Sequence, residues 1–134
     1  MTNKLQDLRE TIINTLNERG LKQCHKSPAL NDTRTSFNLT GNQLITYGEE
    51  RLDFKNKPYK PIYVNGLELG IRETYHSNGA AENTSYYIEI TKWVNNCGFN
   101  LGRIKISSRD SLKKQVRLIN EMVDKYLELA KEVK

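Results

Sequence analysis

Apolar residues at the start of the chain recur at spacings of three and four. The period is carried by Leu5, Leu8, Ile12 and Leu16. This spacing is typical of one apolar helix face, and glycine commonly ends a helix. We therefore predict a helix over residues 3–19 that stops at Gly20. Residues 22–34 contain Pro28 and polar turn formers without any period, which predicts a loop.

The middle of the chain changes to alternating apolar and polar positions, the pattern of half-buried strands. The predicted strands cover residues 35–39, 44–47, 62–64, 67–75, 86–94 and 101–107. Gly-Asn at 41–42 and Asn-Gly at 65–66 stand between apolar runs, and each predicts a hairpin. Residues 76–85 predict a long loop.

The last part of the chain returns to helical spacing. Its apolar stripe comprises Leu112, Val116, Ile119, Val123, Tyr126, Ala130 and Val133. We predict a helix of about 24 residues with Ser108 as N-cap and Asp110 in the first turn. The order of elements predicts an α+β fold, in which a five- or six-stranded antiparallel meander sheet carries the N-terminal helix and the long C-terminal helix on one face.

Size and composition indicate one ordinary globular domain over residues 1–134, with 37% hydrophobic and 28% charged residues. No apolar stretch approaches the length of a membrane span, and the first residues lack the apolar run of a signal peptide. These features predict a cytoplasmic protein. Asn, Lys, Ile and Tyr, which have A- and T-rich codons, make up 44 of the 134 residues. This composition indicates an AT-rich genome. Many bacteria, with their phages and mobile elements, have genomes of this kind.

Positive charge is concentrated in residues 103–117. The segment holds six cations and the single acid Asp110, so it alone accounts for the formal net charge of +5. The cations are Arg103, Lys105, Arg109, Lys113, Lys114 and Arg117. Cations at a helix N-terminus oppose the helix dipole, so helix stability does not explain them. An anion at this strand-to-helix junction would meet backbone N–H groups and side-chain cations together.

Two aromatic residues are predicted on the same surface as part of this cluster. If both helices cover one face of the sheet, alternation places Tyr87 and Trp93 on the other face with Arg103 and Lys105. Rings among cations suit a single-stranded nucleic acid, because bases stack on rings while phosphates contact the charges. The alternative is that Trp93 packs against a loop, a dimer partner or a neighbouring strand.

A second basic segment repeats this theme. Lys55, Lys57 and Lys60 surround Tyr59 and two prolines. If this segment folds over the same surface, it extends the predicted nucleic-acid contact. The alternative is an edge that lysine and proline protect from aggregation.

Residues for catalysis or metal binding show no recognisable pattern. Cys24, His25, His76 and Cys97 lack the close pairs of structural zinc sites. The chain has neither a phosphate-binding loop nor a dinucleotide fingerprint. We predict no catalytic residue, metal or cofactor.

Residues 88–116 form a predicted strand with Trp93, a turn, and a basic strand that enters a helix. This arrangement resembles the C-terminal half of a family of single-stranded DNA-binding transcriptional coactivators. The resemblance implies single-stranded DNA as a ligand. The N-terminal helix and the earlier hairpins depart from that family's simpler layout.

Two functions follow as hypotheses. The first is a non-enzymatic nucleic acid-binding protein that prefers single strands. The second is a small inhibitor or adaptor, of the kind phages and mobile elements carry, that binds an acidic protein partner through the same basic surface. Either protein would be a monomer or a homodimer.

Overall fold

The computed structural model describes residues 4–26, 35–73 and 85–132, which form two helices and nine strands. Helix α1 spans Lys4–Glu18 and helix α2 spans Leu112–Glu132. The strands are β1 Lys22–Lys26, β2 Thr35–Asn38, β3 Ile45–Tyr47, β4 Arg51–Leu52, β5 Pro58–Tyr59, β6 Ile62–Val64, β7 Gly66–Glu73, β8 Ser85–Val94 and β9 Cys97–Ser107.

Five strands form one antiparallel sheet in the order β1-β2-β7-β8-β9. This order follows the chain except between β2 and β7. There the chain leaves the sheet as an arm, residues 43–65, in which β3 pairs with β6 and β4 pairs with β5. The predicted α+β fold, with an antiparallel sheet and two helices, is confirmed.

The core lies between the helices and one face of the sheet. Its fully buried side chains include Leu8, Ile12 and Leu16 of α1, Ile119 and Val123 of α2, and Leu69, Ile71, Ile88, Ile90 and Ile106 of the sheet. The sheet residues alternate along their strands, as a sheet with one packed face requires. Each such side chain contributes about 1.5–3 kcal/mol of burial free energy, which makes this layer the main source of stability.

The first helix ends where the sequence predicts. Gly20 has a φ of +87°, and the Leu21 N–H donates to the Leu16 carbonyl. Arg19, just before this glycine, donates to Asn120 at 2.7 Å and to Asp124 at 2.6 Å. These bonds join the end of α1 to α2.

The loop predicted over residues 22–34 is wrong for its first part. Residues Lys22–Lys26 form strand β1, which pairs with β2 and has a bulge between Gln23 and His25. Backbone hydrogen bonding along the edge of the sheet makes this polar segment a strand, although it lacks an apolar pattern. Residues 27–34 lie outside the described residues, as do residues 74–84, which include most of the predicted loop over 76–85.

Both predicted hairpins are wrong. Residues 41–42 do turn the chain, but β2 already has β1 and β7 on its two edges, so β3 pairs with β6 instead. Residues 65–66 join β6 to β7, which pair with different strands. Gly66 has a φ of +131°, and a Cβ there would lie 2.9 Å from Leu44 Cδ2, so this Asn-Gly redirects the chain from the arm into the sheet.

The turn between β8 and β9 and the start of α2 also differ from the prediction. Strand β9 begins at Cys97 rather than Leu101, because Asn95 and Asn96 form the turn with φ values of 46° and 72°. Positive φ at both positions matches the two-residue turns that suit antiparallel strands. Helix α2 has 21 residues, and Ser111 rather than Ser108 caps it by accepting from the Lys114 N–H.

Two buried tyrosines predict how stability depends on pH. Burial raises the pKa of Tyr126 to about 12 and that of Tyr86 above its usual range. The unfolded chain releases these protons near pH 10, so the folded state binds them more tightly. The free energy of unfolding should therefore fall as the pH rises from about 10 toward 12.

Urea unfolding at pH 9 and pH 11 tests this expectation. Tyr126→Phe should lose about 1.3 kcal/mol less between the two values than the wild type does. Comparison with the wild type cancels the titration of the lysines. Equal losses in the two proteins would contradict the assignment to Tyr126.

Candidate nucleic-acid interface

The face of the sheet opposite the helices carries part of the predicted site. The register of β8 and its neighbours sets Tyr87 between Arg72 and Lys105, and Glu89 between Gly70 and Arg103. Tyr87, Arg103 and Lys105 therefore share this face, as the alternation predicts. We call it the open face.

Arg72 and Arg103 enclose Tyr87 and share one carboxylate. The Arg103 guanidinium lies 3.6 Å from the centre of the Tyr87 ring, and the Arg72 guanidinium lies 5.7 Å from it. Both groups pair with Glu89 Oε1, at 3.1 Å from Arg72 and 3.4 Å from Arg103. Glu89 is only 8% exposed, so this carboxylate neutralises much of the charge of both arginines at short range.

Trp93 lies on the open face, as the alternation predicts, and packs against the sheet itself. Its Nε1–H donates to Glu68 Oε1 at 3.0 Å. Its ring covers Gly98 on β9, where a Cβ would lie 3.0 Å from Cζ3, and its partner on β7 is Gly66. Gly98 leaves space that the half-buried indole fills. This geometry matches the packing alternative for Trp93, and its stacking role stays a prediction.

An internal carboxylate occupies the strand-to-helix junction. Asp110 lies just before α2 rather than in its first turn, and its Oδ2 accepts from the Ser107 N–H at 3.2 Å. Its Oδ1 lies 3.3 Å from Lys114 Nζ. Gln115 donates to the carbonyls of Ser107 and Asp110, at 3.1 Å and 3.0 Å. The junction is thus held together by the protein's own polar groups.

Four cations of the predicted cluster are exposed and make no ion pair within residues 4–26, 35–73 and 85–132. They are Lys105, Arg109, Lys113 and Arg117, and we call them the unpaired cations. Lys105 lies on the open face and Arg109 in the turn after β9. Lys113 and Arg117 lie on the side of α2 away from its buried residues, as 100° per residue requires. The unpaired cations wrap around one end of the domain.

The lysines of the arm belong to a separate part of the molecule. The arm is attached where Val64 exchanges two hydrogen bonds with Asn96 and where Asn65 Oδ1 accepts from the Asn95 N–H. These contacts lie at the β8–β9 turn. The helix junction lies at the other end of β9, about 33 Å away at 3.3 Å per residue. Lys55, Lys57 and Lys60 thus belong to an arm attached at the opposite end of β9.

Sequence reasoning missed the shared carboxylate and the tip of the arm. Alternation places Arg72 and Glu89 on the open face, but it does not show that one acid pairs with two arginines. The arm tip has a local signal in the sequence, because Asp53 begins a turn whose fourth residue, Asn56, has a φ of 61°.

The described residues offer neither a metal site nor a membrane-spanning helix. Among them, no three His, Cys, Asp or Glu side chains lie close enough together to hold a metal ion. Neither described helix is long and apolar enough to cross a membrane. No protein-family model, curated protein or solved structure matches this chain. The arrangement of charges is therefore the basis for a functional proposal.

Glu89→Gln tests the electrostatic role of the shared carboxylate. Loss of its charge leaves two neighbouring guanidinium groups without their acid, so we expect the free energy of unfolding to fall by about 1–2 kcal/mol. Glu128→Gln is the matched control, since Glu128 is exposed and has only a 3.8 Å pair with Lys131. Urea unfolding at pH 7 measures both, and equal stability of the two variants would contradict the role.

Proposed function

We propose that this protein is a non-enzymatic nucleic acid-binding protein. The observation that carries the proposal is the set of four unpaired cations at one end of the domain. Ionised groups on an exposed surface without acidic partners are available to phosphates, and they raise the local concentration of a polyanion. Their position around one end allows a nucleic acid backbone to contact the open face, the turn and α2 in sequence.

The support comes from charge more than from stacking. Arg103 covers one side of the Tyr87 ring, and Trp93 uses its N–H to bind Glu68 and its ring to cover Gly98. A base would have to displace Arg103 to stack on that side of Tyr87. We therefore propose phosphate contact as the main source of affinity, and the preference for single strands stays a prediction.

Paired cations should contribute less than unpaired ones. Arg103 and Lys114 already have carboxylate partners in Glu89 and Asp110. A phosphate gains less from a cation whose charge is partly neutralised nearby. With four contacts, the logarithm of the binding constant should fall with the logarithm of salt concentration at a slope of about −2.8 for single strands and −3.6 for duplexes.

Charge reversal on α2 tests the proposal directly. In Lys113→Glu/Arg117→Glu, two phosphate contacts become repulsive, so we expect at least a tenfold loss of affinity for a fluorescein-labelled oligonucleotide. The magnitude of the salt slope should fall by about 1.5–2. Fluorescence anisotropy at two salt concentrations measures both effects.

Lys22→Glu/Lys131→Glu is the matched control because it lowers the net charge equally. Both lysines are exposed and lie on β1 and at the end of α2, outside the proposed surface. This control should keep most of the wild-type affinity. Equal losses in the two double variants would show that only net charge matters and would overturn the assignment to this end of the domain.

A protein partner is the second candidate, and the base of the arm favours it. Ile45 and Tyr47 pair with Val64 and Ile62, so alternation places all four on one side of the ribbon. Ile45, Tyr47 and Ile62 are exposed, and Tyr47 reaches 64%. A contiguous exposed apolar surface is typical of protein contacts.

Affinity capture with and without nuclease separates the two candidates. Nucleic acid binding predicts that captured material disappears after nuclease treatment. Binding at the apolar side predicts a nuclease-resistant partner that Tyr47→Lys/Ile62→Lys no longer captures, because two charges would have to enter an apolar contact. A resistant partner that the variant still captures would contradict the second candidate.

A further inference from the structure

The tip of the arm is a hydrogen-bonded turn built around Asp53. Its Oδ1 accepts from the N–H groups of Lys55 and Lys57, at 2.8 Å and 2.9 Å. The Asp53 N–H donates to the Lys57 carbonyl, and the Asn56 N–H donates to the Asp53 carbonyl. Four hydrogen bonds therefore fix the backbone from residue 53 to residue 57. Two of these bonds are accepted by the carboxylate of Asp53, the acid nearest to the tip.

This turn holds a phenylalanine in solvent. Phe54 is 92% exposed, the highest value among the exposed large apolar residues that the structure describes, and the Lys55 ammonium lies over its ring, at 5.6 Å. Burial of such a ring normally stabilises a protein, so the isolated fold gains almost nothing from Phe54. A rigid backbone that presents an exposed ring is typical of a preorganised contact with another molecule.

Cations lie on both edges of the ribbon behind this ring. Arg51 is on β4, whereas Lys57 and Lys60 flank β5 on the opposite edge. Lys55 adds a charge at the apex. The acids Glu49 and Glu50 precede β4, toward the base of the arm. Residues 51–60 thus hold four cations and the single acid Asp53, so the tip is positively charged around an apolar apex.

We propose that the tip of the arm enters the major groove of double-stranded DNA, with Phe54 against the base edges. The inference rests on the proposed function, since it names the form of nucleic acid and adds a second contact surface. A groove with two phosphate walls, whose floor includes thymine methyl groups, complements cations on both strands of the ribbon and an apolar apex. A pocket for one ring would explain Phe54 but not the charges on both edges.

The width of a two-stranded ribbon favours the major groove of B-form DNA over the minor groove and over the grooves of A-form RNA. The major groove of B-form DNA is about 12 Å wide and accepts a two-stranded ribbon, whereas the minor groove is about 6 Å wide. The major groove of A-form RNA is deep and too narrow for side chains to read. Among base edges, thymine presents a methyl group that an apolar side chain contacts favourably.

The experiment compares a short duplex of alternating A·T pairs with the same duplex in which deoxyuridine replaces thymidine. The wild type should bind the thymidine duplex about fourfold more tightly, the ratio expected for one buried methyl group. Phe54→Ala should bind both duplexes equally. Phe99→Ala is the matched control, because Phe99 is also exposed but lies on β9.

The double variant Lys55→Glu/Lys57→Glu tests the role of charge at the tip of the arm. Lys22→Glu/Lys131→Glu is again the control. The arm variant should lose at least tenfold in duplex affinity, and the magnitude of its salt slope should fall by about 2. These side chains are exposed, so the thermal unfolding midpoint should stay at the wild-type value.

The outcomes separate the two proposals. Wild-type affinity in both arm variants, or a wild type that prefers single strands, would overturn the arm inference and leave the α2 surface standing. Loss in the arm variants with full affinity in Lys113→Glu/Arg117→Glu would support the arm and overturn the α2 surface. A wild type that binds neither single strands nor duplexes would overturn both.

Discussion

Strand β8 is the element on which the rest of the structure depends. It pairs with β7 on one edge and β9 on the other, and each edge uses most of its length. Because side chains alternate along a strand, Ile88 and Ile90 enter the core while Tyr87 and Glu89 face the opposite direction. A shift of one residue would bring a carboxylate into the core and expose isoleucine. The core and the open face are therefore specified together.

The same alternation explains why cations are tolerated so close to one another. Glu89 is nearly buried between two arginines, and Asp110 lies between the end of β9 and the first turn of α2. These acids stabilise the positions of Arg72, Arg103 and Lys114. The cations that lack such partners are at the periphery, where water screens their mutual repulsion. The positive charge thus has a structural inner part and an exposed outer part.

The sequence predicts those parts of the fold in which a local period coincides with the packing. The apolar stripe marks the buried face of α1, and its middle part, from Ile119 to Tyr126, marks that of α2, whereas Leu112 at the start of α2 is 65% exposed. Alternation in β8 and β9 gives the correct face for Tyr87, Arg103 and Lys105. Strand β1 has no such pattern. It is a strand because its backbone pairs with that of β2, which the side-chain pattern does not reveal. The Asn-Gly at 65–66 has the composition of a hairpin turn, but long-range pairing of β6 with β3 and of β7 with β8 determines its use.

The candidate site is less predictable because charge composition does not reveal pairing. Six cations in fifteen residues can be counted, but the identity of their partners depends on the strand across the sheet, as the contact between Arg103 and Glu89 shows. The role of Trp93 likewise depends on the glycine opposite it. The arm tip depends on the geometry of five consecutive residues, and its aspartate and asparagine would allow its prediction.

The arm begins and ends beside the same part of the sheet, since Phe37 near the end of β2 pairs with Leu69 near the start of β7. No core residue lies within it. An excursion of this kind can change in length and sequence while the two helices and five strands keep their contacts, because loop-closure entropy grows only slowly with length. Evolution can therefore modify the exposed ribbon and the stable body of this protein independently.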